Sequence, residues 1–154
     1  MFEQALKVFV DGVINYFHHT SDKNVKVGAP YLIENSQPTA FDYTGIIGIS
    51  GPYKGTVYFT APKVLLTHLL LSIGEKDTSM ENMLDLVGEV ANTISGNART
   101  ECGCDFMISV PIMMEGAPGK IHLPEQLRSY VIPIYWKAYS AAVVVCLESD
   151  AIKG

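Results

Sequence analysis

Strand-like runs in this chain arrive in adjacent pairs rather than singly between helices, and that order constrains the fold more than any other feature. Tyr43–Ser50 and Gly55–Ala61 make one pair, joined through Gly51-Pro52-Tyr53-Lys54, a hairpin signal. Leu127–Ala138 and Ser140–Glu148 make the other, with a tight turn near Tyr139. A doubly wound nucleotide-binding fold needs strands that alternate with helices. The expected class is therefore α+β, a mostly antiparallel sheet with helices packed on it. Pro133 has no N–H to give a ladder, so it assigns its strand to an edge or a bulge.

Three helices accompany the strands. Phe2, Ala5, Leu6, Phe9, Val10, Val13, Ile14 and Phe17 follow helical spacing over residues 2–19. Pro62 opens a very apolar helix over Lys63–Ile73 that stops at Gly74. Thr78 or Ser79 caps a third, which runs to about Thr100 or Glu101, with Glu81 as a capping-box partner for Thr78. Lys26–Glu34 reads as extended chain interrupted by Gly28-Ala29-Pro30, Phe106–Met114 as a strand carrying Pro111, and residues 120–123 as a short strand. Helix followed by strand pair occurs twice, which suits a pseudo-symmetric fold. Residues 1–154 read as one domain.

Composition narrows the function. The 48% hydrophobic content supports a real core. A formal charge of −5 without a basic cluster argues against nucleic acid. The apolar runs Val64–Leu71 and Ala141–Leu147 are far short of the roughly 20 residues that span a bilayer, and the N-terminus has no signal-peptide pattern. The chain is thus expected to be cytoplasmic, with no membrane partner. Three cysteines without a convergent fourth ligand do not make a zinc site and read as reduced thiols. No nucleophile elbow, P-loop or H-E-x-x-H run is present. Gly45 and Gly48 lie in a strand rather than before a helix, so they do not cradle phosphate. His18 and His19 suit a helix C-terminus, and His68 reads as a satisfied core or groove residue.

The third helix carries the unusual chemistry. Met80, Met83, Leu84, Val87, Ala91, Ile94 and Ala98 mark its core-facing stripe. Asp85, Glu89 and Asn92 fall within roughly 60° of one another on the opposite side. The acids have no lysine at i,i+4, and Gly88 and Gly96 lie close to the row although mid-helix glycine costs about 1 kcal/mol. Small residues there suit a face that something large approaches. A rigidly held carboxamide can donate and accept at once, which suits it to orienting a water. A nearby carboxylate can pair with a partner's lysine.

The run Asp85-x-x-x-Glu89-x-x-Asn92 with Pro111 downstream resembles the signature of the CheC/CheX/FliY family of chemotaxis phosphatases. Gly48-Ile-Ser-Gly51 with Lys54-Gly-Thr-Val-Tyr-Phe59 is similar to the family's hairpin, and Ile108-Ser-Val-Pro111 to the strand that follows its active helix. The single motif copy resembles CheX most, although the Asn92–Pro111 interval is shorter than the usual family spacing. The resemblance implies a CheX-like fold and hydrolysis of the aspartyl phosphate on CheY or a related receiver domain. It implies that Asn92 orients the attacking water, that Glu89 pairs with the receiver's lysine, and that Asp85, Gly88 and Gly96 bind the partner. The Mg²⁺ would be the receiver's, with no cofactor or metal of the chain's own. It also implies a homodimer joined across a sheet edge, through the C-terminal strands or Phe106–Met114. The alternative is a non-catalytic module that docks a receiver or another signalling protein through the same face. A small-molecule sensor would need a deep pocket with convergent polar groups, and the sequence shows no sign of one.

Overall fold

The structure, a computed structural model, describes residues 2–20, 25–34, 39–102, 105–116 and 128–149. The elements run α1 (Phe2–Thr20), β1 (Lys26–Val27), β2 (Tyr31–Glu34), β3 (Tyr43–Ser50), β4 (Tyr53–Ala61), α2 (Lys63–Ser72), α3 (Met80–Cys102), β5 (Met107–Ile108), β6 (Ile112–Glu115), β7 (Arg128–Trp136) and β8 (Tyr139–Ser149). The strands form one sheet in the order β1–β7–β8–β4–β3–β5, with β2 also on β7 and β6 also on β3. Every described pairing is antiparallel, as the paired runs imply. The expected strand at 120–123 lies outside the described residues.

The main core lies between the helices and one sheet face. Phe9, Val13 and Phe17 of α1 and Met83, Val87, Ala91, Ile94 and Ala98 of α3 join Ile47, Val57, Phe59, Ile132, Ile134, Val143 and Val145. A smaller cluster, with Tyr58, Val131, Ala142, Val144 and Cys146, fills the other face. Central strands buried on both faces read as continuous apolar runs, which explains the unbroken Val143–Leu147 stretch. Tyr58 donates its hydroxyl to the Thr39 carbonyl at 2.7 Å, and burial pushes its phenol well above the ordinary tyrosine range.

Several expected boundaries move for local reasons. The first hairpin turn holds two residues rather than four, because Tyr53 and Lys54 extend β4 by pairing with Ser149 and Glu148. β3 and β4 pair with each other as far as Ile49↔Gly55, and Gly51, at φ 108, takes the left-handed backbone that favours glycine in the bend between them. The second turn is Lys137-Ala138, with Lys137 at φ 56, so Tyr139 begins β8. Met80 is half exposed, while Leu86 and Val90 are buried in the α3 stripe.

Phe106–Met114 is not one strand. Three residues, Ser109-Val110-Pro111, lie between Ile49↔Ile108 and Ile46↔Ile112, opposite only Ile47 and Gly48. This is a one-residue bulge. Ser109 holds it, donating its N–H to the Gly48 carbonyl at 2.9 Å and accepting the Gly48 N–H on its hydroxyl at 2.8 Å. The other edge has the same device. Gly28-Ala29-Pro30 lies between Val27↔Ile134 and Tyr31↔Val131, opposite Ile132 and Pro133. Pro133 thus sits at a bulge, where a missing N–H is tolerated. Helix, bulged outer strand and hairpin therefore occur twice, and the pseudo-symmetry suggested by the sequence is present. β7 and β8 are paired on both sides, so neither provides the open edge expected of the C-terminal strands.

Candidate functional site

Helix α3 is started by Ser79, not Thr78. The Ser79 hydroxyl accepts the Asn82 N–H at 3.3 Å, while the Asn82 amide reaches back to the Asp77 carbonyl at 2.9 Å. Ser79→Ala is expected to lower stability by about 1 kcal/mol. A shift of the urea midpoint with unchanged slope would report it.

From this start the helix lies against β3 and leaves one face to solvent. Asp85, Glu89 and Asn92 are all exposed on that face. Asn92 lies three positions after Glu89, or roughly 4.5 Å along the axis. Among the described residues, no hydrogen bond or ion pair holds the Asp85, Glu89 or Asn92 side chain. Glu81, Asp85 and Glu89 follow one another at i,i+4, a like-charge spacing that disfavours a helix by a few tenths of a kcal/mol per pair. The row therefore does nothing for the helix that bears it.

The two glycines part company. Gly96 is half-exposed, and a Cβ there would meet nothing within 4 Å, so it belongs to the open face. Gly88 is buried. A Cβ on it would stand 2.6 Å from the Met113 sulfur and 3.5 Å from Pro111 Cβ. Expected to bind a partner, Gly88 instead packs the helix against the β5–β6 bulge. Beneath it, a Cβ on Gly45 would collide with the Val87 carbonyl and lie 2.8 Å from the Gly88 nitrogen. Gly45 and Met113 thus shape the site although the sequence reading gave them no part in it. Glycine inside a strand is itself a signal of close backbone approach.

Grooves flank the row. One of about 150 Å³, between α2 and α3, is lined by Leu70, Ile73, Glu75, Asn82, Asp85, Leu86 and Glu89. Another of about 250 Å³, toward α1, is lined by Asn15, Tyr16, His19, Glu89, Thr93 and Asn97. Glu89 stands on the ridge between them. The other expected candidates are structural. His68 stacks on Tyr139 with ring centroids 5.4 Å apart and its Nε2 lies 3.3 Å from the Tyr139 hydroxyl. Cys146 is buried and not in a disulfide, and Cys104 and His122 lie outside the described residues. Among the described residues there is no cluster of three His, Cys, Asp or Glu side chains placed to hold a metal, and no helix long and apolar enough to cross a membrane.

The amide of Asn92 and the carboxylate of Glu89 face solvent on one helix rather than lying enclosed in a pocket. Residues 43–135 match the family model described as Chemotaxis phosphatase CheX. The chain belongs to the CheX family. None of the curated proteins matches it. Its fold is similar to that of a CheC-like superfamily protein from Shewanella sp. PV-4, at 27% identity and TM-score 0.81, covering 95% of this chain and 98% of that one. A chemotaxis protein CheX from Vibrio vulnificus matches at 23% identity and TM-score 0.79, covering 94% and 99%. The CheX–CheY–BeF3–Mg²⁺ complex from Borrelia burgdorferi matches at 18% identity and TM-score 0.75, covering 94% and 97%. The two matches below 25% identity speak to the fold alone. The CheX fold accordingly accounts for nearly the whole chain.

Proposed function

We propose that this CheX-family chain hydrolyses the aspartyl phosphate of a phosphorylated CheY-type receiver domain. The observation that carries the reading is the exposed Glu89–Asn92 pair, without a hydrogen bond or ion pair among the described residues, on a helix of a chemotaxis phosphatase family member. Asn92 enters the receiver's active site. Its carboxamide oxygen accepts a hydrogen bond from the attacking water and its N–H₂ can donate one to a phosphoryl oxygen, so the water is held in line with the scissile bond. The water oxygen bonds to phosphorus, the bond from phosphorus to the aspartyl oxygen breaks, and inorganic phosphate leaves with the aspartate regenerated. Holding a reactant in line converts an encounter into a local event, the main resource available for phosphoryl transfer.

Glu89 pairs with the receiver's active-site lysine and sets the docking register, while Asp85 and Gly96 belong to the surface that the receiver covers. The Mg²⁺ that neutralises phosphoryl charge belongs to the receiver. A complex that holds CheX, CheY, BeF3 and Mg²⁺ together, from Borrelia burgdorferi, supports this kind of partner. A homodimer joined edge to edge is part of the same proposal, with β1–β2 and β5–β6 as the open edges.

Glu89→Lys tests the docking role. An exposed side chain is replaced without loss of packing, so the thermal midpoint should hold. Affinity for the receiver should fall by about 10-fold or more, since reversing one member of a docked charge pair costs upward of 1.4 kcal/mol. Calorimetric titration with the receiver reads this directly, and unchanged affinity would remove Glu89 from the interface.

A further inference from the structure

The two flanks of the exposed α3 row differ in chemistry. On the Glu89 side lie carboxylates, Glu75, Asp85 and Glu89, around a small groove. On the other side, the one toward which Gly88 and Asn92 are rotated, lies the β5–β6 bulge. Met113 pairs with Gly45 on the helix side of the sheet, and its sulfur fills the notch above Gly88. Met113 is 37% exposed and Val110, in the bulge beside Pro111, is 83% exposed. Ile112, equally apolar, pairs with Ile46, which packs against the second cluster, so it lies on the opposite sheet face.

We propose that Val110 and Met113 form the apolar half of the surface that docks the phosphorylated receiver domain, on the Asn92 side of the row. This rests on the reading of the row as a receiver phosphatase site. Continuity argues for that occupant: Asn92 follows Gly88 by one turn, so a domain that brings a phosphoryl group to the Asn92 amide also covers the Met113 side chain seated on Gly88. Chemistry argues for it as well. Covering the site with apolar side chains strengthens the hydrogen bonds that hold the one positioned water. A thioether adapts its shape to a partner that comes and goes. A bulge is a device that re-aims side chains beside a site. The partner surface that fits carries an apolar side chain on one rim of the phosphorylation site and its basic group on the other.

The test uses Val110→Ser and Met113→Gln, which remove apolar surface and leave charge unchanged, with Ile112→Ser as the opposite-face control. Each protein is titrated with receiver loaded with Mg²⁺ and beryllofluoride, and its mass is followed by sedimentation. The first two variants should each weaken receiver affinity by about fivefold, the loss expected from one apolar side chain at an interface. Mass and thermal midpoint should stay as in the wild type, and Ile112→Ser should bind normally. Unchanged affinity in both variants overturns the proposal. So does a change of mass with unchanged affinity, which would assign this rim to a second copy, or an equal loss in Ile112→Ser. A wild type that binds the loaded receiver without speeding phosphate loss would defeat the catalytic reading while leaving the docking result intact. A wild type that binds no receiver would overturn both.

Discussion

Asn92→Ala should abolish the acceleration of receiver dephosphorylation, by about 100-fold or more, while the protein folds and docks as before. The magnitude follows from the job assigned to the amide. Positioning and preorganised hydrogen bonds supply most of what a protein can add to phosphoryl transfer, and losing one such group costs on the order of 10²–10³ in rate. The fold should not suffer. Asn92 is exposed, and alanine is the better helix former by several tenths of a kcal/mol. A thermal midpoint equal to or slightly above the wild type, with phosphate release near the receiver's own rate, is the expected pair of readings. Affinity for a loaded receiver should change little, because Glu89 and the apolar rim remain.

The second large effect is structural and is expected at Gly45. A Cβ there would lie 2.5 Å from the Val87 carbonyl carbon and 2.8 Å from the Gly88 nitrogen. Both are backbone atoms of α3, so the only relief is to lift the helix from β3. Gly45→Ala should cost about 3 kcal/mol, in the range for overpacking a tight interface, and lower phosphatase activity because the row moves relative to the β5–β6 rim. Gly88→Ala is the matched comparison. Its Cβ meets the sulfur and Cγ of the Met113 side chain, which can rotate where backbone cannot, so the cost should be nearer 1 kcal/mol. Urea unfolding of the two variants side by side checks the difference. Similar midpoints would mean that the helix does not bear on β3 as closely as the geometry implies.

Much of this fold was legible before any coordinates. The strand limits Tyr43–Ser50 agree residue for residue, because a short run rich in isoleucine and bounded by Gly51-Pro52 leaves little choice. The interruption of Lys26–Glu34 at Gly28-Ala29-Pro30 was readable from glycine and proline alone. Its counterpart at Ser109-Val110-Pro111 was not, since Pro111 sits in a run that otherwise reads as one strand. Only the register with Ile46 and Ile49 reveals the bulge. Turn lengths failed where a third strand decides them: β8 extends β4 through Tyr53 and Lys54.

The site divides in the same way. Helical spacing placed Asp85, Glu89 and Asn92 together on an exposed face, and they lie there. The direction of Gly88 was beyond periodicity. It lies about 60° from Asp85 on a helical wheel, at the border of the open face, and the neighbouring Met113 decides that it is buried. His68 and Tyr139 meet across 71 residues of sequence, a contact that no local pattern announces. The assignment of a receiver aspartyl phosphate as substrate came from family resemblance, since an amide and a carboxylate on a helix do not by themselves name what they act on.

The central claim is catalysis, and turnover tests it most directly. A receiver domain phosphorylated in the presence of Mg²⁺ is mixed with a tenth of its molar amount of this protein, roughly the ratio that separates turnover from mere binding, and phosphate release is followed in time. The account expects all of the receiver to be dephosphorylated well ahead of its intrinsic decay, at a rate proportional to the protein added. Decay at the intrinsic rate at every protein concentration would contradict it and leave the Glu89–Asn92 face as a docking surface without chemistry.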